Sequence, residues 1–267
     1  MTTIETNQLT DVAYEVDNGL ATITINRPER LNSFRARTLD ELIECLKHAW
    51  VSADVGVVCL TGAGEKAFCT GGDQKQRMET GDYGPSRTGR LEVDTLHRTL
   101  RDIPKPVIAA VNGFATGIGG SFALICDLVV MGQNAFFQVP FNKIALVPDG
   151  GMSWLLTERV GHRRAFEIAV SGERVPAARC LEWGLANRIV PDETVLDAAV
   201  AWATELCEAA PLALGHLKQL LRSAPALGYD RAIGAEARLQ APCIDSADFR
   251  EGVAAFREKR APKFSGR

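Results

Sequence analysis

The sequence predicts an α/β fold in which strands and helices alternate to about residue 192 and helices alone follow. Three observations carry that expectation. Short β-branched runs such as Leu20 to Asn26 and Val107 to Val111 are separated by stretches with helical spacing. Two glycine-rich turns, Gly71-Gly72 and Gly117-Ile118-Gly119-Gly120, each follow an apolar run. Beyond Pro191 only the helical period remains.

Taken in order, Leu20 to Asn26 reads as a strand stopped by Pro28. Arg37 to Trp50 places apolar residues at 39, 42, 43, 46 and 50, a helical face. Val55 to Leu60 is the next strand, ended by Thr61-Gly62-Ala63-Gly64, and Lys66 to Cys69 leads into the first glycine pair. Gln74 to Arg90 is polar, contains glycines and shows no period, so it reads as a loop over a site. Leu91 to Ile103 returns to helical spacing until Lys105-Pro106. Val107 to Val111 and Leu128 to Met131 are strands on either side of the second glycine turn. The C-terminal helices are expected at Glu193 to Ala209, Leu212 to Arg222, Tyr229 to Gln240 and Ser246 to Lys259, with Ser246 as an N-cap. The chain therefore divides into a core at 1–192 and a helical region at 193–267, which packs on the core or on a neighbouring subunit.

Composition narrows the function. With 267 residues, 46% hydrophobic and 24% charged, the chain has enough apolar material for a sizeable core. A net charge of -3 offers no basic field for nucleic acid and no polybasic stripe for a membrane surface. Four scattered histidines and seven cysteines without a C-x-x-C pair give no metal-binding pattern and read as reduced, mostly buried thiols. The N-terminus is polar and acidic, and no apolar run nears the length of about 18 residues that spans a bilayer, so a cytoplasmic protein is expected.

The chemistry is concentrated at the glycine turns. In Phe68-Cys69-Thr70-Gly71-Gly72-Asp73-Gln74-Lys75, adjacent glycines after an apolar strand let backbone N–H groups approach a bound oxygen without a side chain in the way. Gly117-Ile118-Gly119-Gly120-Ser121 offers a second such turn at the start of an apolar helix. Two turns of this kind supply two donors to one oxygen, the arrangement that stabilises an enolate or oxyanion.

Several motifs fall in a known order: Asn26-Arg27-Pro28-Glu29-Arg30-Leu31-Asn32-Ser33, Leu60-Thr61-Gly62-Ala63-Gly64, the first glycine motif, Lys105-Pro106-Val107-Ile108-Ala109-Ala110-Val111-Asn112-Gly113, Cys126-Asp127-Leu128 and Pro148-Asp149-Gly150-Gly151. With the closing Phe256 to Phe264, the chain from about residue 12 resembles the crotonase (enoyl-CoA hydratase/isomerase) superfamily. The resemblance implies a ββα spiral core and a C-terminal helical trimerisation region, assembled as a homotrimer or a dimer of trimers. It implies no permanently bound cofactor and a coenzyme A thioester as substrate, its carbonyl held between two backbone N–H groups. Within the superfamily, Gly71-Gly72-Asp73-Gln74-Lys75, Arg77 and Gly81-Asp82-Tyr83-Gly84 look like the 1,4-dihydroxy-2-naphthoyl-CoA synthase branch. The 2-ketocyclohexanecarboxyl-CoA hydrolases share much of this, including Phe34-Arg35 and Leu96-His97. A cyclic or aryl-substituted acyl group is the expectation.

Carried over residue by residue, the first donor is the N–H of Gly72 and the second falls on Ile118, where most relatives have glycine. A β-branched residue there must keep φ negative and turn its side chain from the thioester. The two glutamates of the family's hydratases are replaced by Ser121 and Phe141. Of the synthase set of serine, aspartate and tyrosine, the positions read Val147, Asp149 and Ile244, which leaves Asp149. Lined by Phe141, Val147, Pro148 and Ile118, its carboxylate is expected to be poorly solvated, with a raised pKa suited to moving a proton at an enolate carbon. An Asp before glycines also caps helices, and both roles can coexist. Tyr83 is a candidate to close over the acyl group, His97 a base from the pocket wall or a hydrogen-bonded core residue, Ser121 a water-orienting group and Cys69 a buried filler.

For coenzyme A, Arg30, Gly71, Asp73 and Lys75 are the expected contacts near the thioester, nucleotide and pyrophosphate, and Lys259 and Lys263 the cations reaching a neighbour's 3'-phosphate. The leading expectation is an enzyme that stabilises a thioester enolate and either cleaves a carbon-carbon bond of a cyclic β-keto thioester or isomerises a double bond. Two rivals stand beside it: a hydratase using Glu79 or Asp82 from the loop, and a catalytically silent acyl-CoA-binding member.

Overall fold

The computed structural model describes residues 8–80 and 87–266. It opens with a hairpin that the periodicity did not separate, β1 (Val12–Asp17) against β2 (Leu20–Ile25). Asn18 and Gly19 make the turn with φ of 47° and 84°, the paired positive values that an Asn-Gly hairpin turn requires. A 3-10 turn at Pro28–Arg30 leads into α1 (Ala36–Val51). Asn32 is fully buried there because its amide nitrogen donates to Ala63 O (2.9 Å) and Ala67 O (2.6 Å), tying the Asn-Arg-Pro segment to the next strand.

From this point the chain repeats a two-strand unit. β3 (Val57–Gly62), β5 (Val107–Val111) and β7 (Leu128–Gly132) enter one sheet, while β4 (Ala67–Cys69), β6 (Phe114–Thr116) and β8 (Phe136–Gln138) enter a second. Helices α2 (Gln74–Thr80) and α3 (Arg87–Asp102) follow the first pair and α4 (Ile118–Ile125) the second. After the third comes α5 (Met152–Ser171), two helical segments broken at Gly161, where φ is 74° and ψ 161°. With β9 (Arg174–Pro176), α6 (Ala177–Glu182) and β10 (Arg188–Val190), the sheets have the orders β1-β2-β3-β5-β7-β10 and β4-β6-β8-β9. Neighbours from β2 to β10 are parallel in the first sheet, as crossover connections demand.

Both faces of the six-stranded sheet are covered, so its strands read as continuous apolar runs. Along β3, Val58 and Leu60 point toward α1, α3 and α4, while Val57 and Cys59 pack with Val195, Ala199 and Ala203 of α7 (Val195–Cys207). α7, the first of the expected C-terminal helices, is thus a layer on the sheet. α8 (Pro211–Leu227) is fastened to the core by Lys218, whose ammonium donates to Leu100 O and Lys105 O and pairs with Asp127 at 2.8 Å. Arg222 reaches the same carboxylate at 2.8 Å. α9 (Tyr229–Asp245) packs on α8, and α10 (Ala247–Glu258) begins at Ser246, whose hydroxyl accepts from Phe249 N–H (3.0 Å) as an N-cap. No helix among the described residues is long and apolar enough to cross a membrane.

The expected loop at 74–90 is corrected in its first part and its last. Gln74–Thr80 is α2, and α3 already begins at Arg87. The reason is Asp73: its Oδ1 accepts from Gln76 N–H at 3.0 Å, an N-cap bond that starts a helix too short to show a period.

Candidate active site

The two glycine turns abut. Gly71 has φ of 87°, and a Cβ on it would stand 3.3 Å from Thr116 O and 3.6 Å from the nitrogen of Ile118. Phe34 brackets the first turn: its N–H donates to Gly71 O and its carbonyl accepts from Asp73 N–H, both at 2.9 Å. Gly72 lies between those two bonds, half-buried, and its N–H has no acceptor among the described residues. In the second turn Gly117 takes the positive φ (58°), leaving Ile118 as the first helical residue of α4. Ile118 packs against the core, and its N–H likewise has no acceptor among the described residues. A β-branched residue is tolerated because the strained backbone position is the glycine before it. Gly119 then sets the spacing, since a side chain there would overlap the carbonyl of Cys69.

Asp73 does not offer its carboxylate to a ligand. Its side chain is 4% exposed, and Oδ2 takes a hydrogen bond from Arg27 at 2.9 Å while Oδ1 caps α2. Burial alone would raise its pKa; the Gln76 N–H and the Arg27 guanidinium override it and hold the carboxyl below its ordinary value. Arg27, which sequence reasoning read only as part of a motif, also donates to Ser33 O at 2.5 Å and so clamps the turn after Gly72. The signal was its place in Asn-Arg-Pro, with no hint of its partner.

Ser121, one helical turn beyond Ile118, is fully buried, and its hydroxyl donates to Ile118 O at 2.9 Å. His97 of α3 faces it. The imidazole is 8% exposed, packs on Phe122 at a centroid distance of 5.1 Å, and donates from Nδ1 to Val93 O at 2.8 Å. Burial lowers its pKa despite that bond, so the ring is neutral with Nε2 as a bare acceptor. Nε2 is buried without a hydrogen-bond partner among the described residues. Gly150, buried with φ of 59°, closes over both groups: a Cβ there would lie 2.8 Å from Nε2 and 2.9 Å from Ser121 Oγ.

Asp149 thus follows the backbone to the edge of this cluster, but its surroundings differ from expectation. The residue is exposed, as is Val147 at 80%, because the 145–149 stretch runs over the surface before α5. The enclosure expected from Val147 and Pro148 is not made by this chain alone. Gly151 stands at the N-cap of α5, and the Asp149 carbonyl accepts from Met152 N–H at 3.1 Å. Phe141 is buried near Gly117. Tyr83 and Asp82 lie outside the described residues.

Arg30 sits at the surface, paired with Glu79 of α2 at 3.3 Å, which commits the carboxylate expected of a displaced hydration acid. Lys75 is exposed on the same helix. Beside Arg30 a groove is lined by Pro28, Leu31, Asn32, Gly64 and Lys66. Lys259 and Lys263 are exposed at the end of α10 and in the tail, whose contacts run to Glu251, Asp248 and Pro211. Cys69 is fully buried, its thiol pushed up to about 12 by desolvation, which fits a filler. No cluster of metal-ligating side chains occurs among the described residues.

A family model described as enoyl-CoA hydratase/isomerase matches residues 15–267. The chain belongs to the enoyl-CoA hydratase/isomerase family. It is 39% identical over 256 residues to a 1,2-epoxyphenylacetyl-CoA isomerase of Escherichia coli (strain K12), covering 94% of this chain and 97% of that one. A solved enoyl-CoA hydratase from Bacillus anthracis superposes with a TM-score of 0.93 at 29% identity, covering 97% of this chain and all (100%) of the other. One from Mycobacterium tuberculosis H37Rv gives 0.87 at 32%, with coverage of 96% and 99%. The alternating two-sheet spiral is therefore the crotonase fold of this family, as the sequence motifs imply. At the two positions where the resemblance expects a hydratase carboxylate, Ser121 is buried and bonded to its own helix and Phe141 is a buried apolar side chain.

Proposed function

We propose that this chain is an isomerase of acyl-CoA thioesters whose acyl group carries a ring, working through a thioester enolate. The observation that carries the reading is the pair of abutting turns that leaves the N–H groups of Gly72 and Ile118 without acceptors among the described residues; Asp149 is the carboxylate that the family resemblance offers for the proton. The thioester oxygen accepts from both N–H groups, each donor contributing about 3 kcal/mol to the transition state. Asp149 takes a proton from carbon next to the carbonyl and returns it elsewhere on the acyl group, so atoms balance without water. Hydration is disfavoured because positions 121 and 141 hold no carboxylate and Glu79 is paired with Arg30. The ring comes from the isomerase relative, whose name specifies a phenylacetyl thioester, and from the branch resemblance. Arg30 and Lys75 beside the Pro28–Gly64 groove are the contacts for coenzyme A, with Lys259 and Lys263 serving a neighbour in a homotrimer or dimer of trimers.

The test is a panel of 1,2-epoxyphenylacetyl-CoA, a 3-enoyl-CoA, 2-ketocyclohexanecarboxyl-CoA and crotonyl-CoA followed by liquid chromatography and mass spectrometry. Isomerisation shifts retention at unchanged mass. Gain of one water from the ketone or from crotonyl-CoA would replace the reading by ring cleavage or hydration, and binding without turnover by the silent reading.

A further inference from the structure

The C-terminal tail turns back along the helix that precedes it. After α10 the chain reverses at Lys259, whose φ of 51° and ψ of 44° are left-handed, and the N–H groups of Lys259 and Arg260 close the helix end on Phe256 O and Ala255 O. Residues 261–266 then run without regular structure. Backbone N–H groups in such a stretch must find acceptors outside it. Two carboxylates of α10, three residues apart and so on one face of the helix, supply them. Glu251 accepts from Lys263 N–H at 2.8 Å and from both terminal nitrogens of Arg260 at 2.6 and 2.8 Å. Asp248, only 4% exposed, accepts from Ser265 N–H at 2.7 Å, from the Ser265 hydroxyl at 3.2 Å and from Gly266 N–H at 2.8 Å. The Phe264 ring closes on Gly252, where a Cβ would stand 3.6 Å from it.

Burial does not explain this fastening, because Phe264 is the one half-buried residue between Lys259 and Gly266 and the others are exposed. Its effect is on charge. Glu251 and Glu258 are both taken up by Arg260, at 2.6 Å each, and Asp248 by the tail amides. Lys259 and Lys263 are left exposed, without an ion-pair partner among the described residues. Their stems are nonetheless fixed, Lys263 through its N–H on Glu251 and Lys259 through the reversal. We propose that Asp248 and Glu251 are positioning residues for coenzyme A: they clasp the tail so that Lys259 and Lys263 meet the 3'-phosphate of a thioester bound by a neighbouring copy. This deepens, and rests on, the acyl-CoA reading above. A loose tail would have to be ordered at every binding event, at the expense of affinity, whereas a clasped one is ordered beforehand.

The experiment compares binding of coenzyme A and 3'-dephospho-coenzyme A to the full chain by calorimetry. The unsubstituted protein is expected to bind coenzyme A about tenfold more tightly. Glu251→Ala and Asp248→Ala are expected to bring that ratio toward one through coenzyme A alone, the affinity for the dephospho compound holding. Glu251→Gln, which keeps an acceptor for Lys263 N–H, is expected to retain more of the preference than Glu251→Ala. A Lys259→Ala, Lys263→Ala double variant is expected to lose the same preference as the clasp variants. Where Asp248→Ala, which removes a buried carboxylate, fails to fold, the half-buried Glu251 decides alone. A variant that weakens both compounds equally, or that keeps the full preference, overturns the positioning role. Equal affinity of the unsubstituted protein for the pair also overturns it and leaves the acyl-CoA reading intact; failure to bind either compound overturns both.

Discussion

Gly119 sits where α4 meets the end of β4, and a methyl group there would overlap the carbonyl of Cys69, main-chain atoms that cannot yield without moving the sheet. Gly119→Ala is therefore expected to lower stability by about 1–3 kcal/mol and to separate the two turns. Gly184→Ala serves as the control, since nothing lies within 4 Å and only the φ of 74° opposes it, at about 1 kcal/mol. Urea midpoints of the two variants check the order. Asp149 is a different kind of residue, exposed on the stretch before α5. Asp149→Asn is expected to leave the midpoint unchanged and to reduce kcat by about 10²–10⁴-fold on whichever thioester the panel identifies; full activity would remove it from the mechanism. At this scale the turns were legible, because glycines next to strands have few other uses. His97 was legible as a hydrogen-bonded core residue, but not the closing of Gly150 over it from fifty-three residues away in sequence.

Between α1, β1 and α2 the elements are joined by a buried set of charges. Arg27 pairs with Asp73, Arg35 donates to Asp11 through two nitrogens at 2.7 and 2.8 Å, and Thr38 donates to Asp11 at 2.6 Å. Burial raises the Asp11 pKa most strongly of any single influence, yet the Arg35 and Thr38 bonds together outweigh it and hold the group at about 2. A carboxyl depressed in the folded state from 3.8 stabilises at all pH values above that figure and loses the contribution as pH falls toward 2. Acid unfolding is expected to begin between about pH 4 and pH 2, with ~2 kcal/mol attributable to Asp11. Arg27→Leu, which strands Asp73 in the interior, is expected to cost about 3–5 kcal/mol and to fray α2, read by circular dichroism and denaturant midpoints. These ties also show why some elements escaped the sequence. β6, β8 and β9 are three residues each, below any detectable period, and α2 is started by one side chain hidden in a glycine motif. The long helices and buried strands were legible because hydrophobic spacing over ten or more residues leaves little alternative.

At the scale of the whole molecule, large apolar side chains stand exposed on the single chain. Tyr229 of α9 is 81% exposed and Phe256 of α10 86%, with Phe249 and Val253 also exposed on α10, and the turn before Asp149 exposes Ile144, Leu146 and Val147. Exposed apolar side chains of this kind suit an association surface, and we propose that they serve the homotrimer or dimer of trimers that the family resemblance implies. Light scattering after size exclusion is expected to give a multiple of 28.9 kDa. A Tyr229→Glu, Phe256→Glu double variant is expected to elute at the single-chain mass with its helical circular dichroism retained, since neither side chain contributes to the core. The consequence for the site is the sharper test. A neighbouring copy over the 144–149 turn would enclose Asp149, which is exposed on the single chain. A Val147→Glu variant, which adds a charge to the turn without touching Gly72 or Ile118, is therefore expected to weaken assembly and lower kcat together while thioester affinity holds. A native chain that is fully active at the single-chain mass would break that link and place the proton chemistry within one copy.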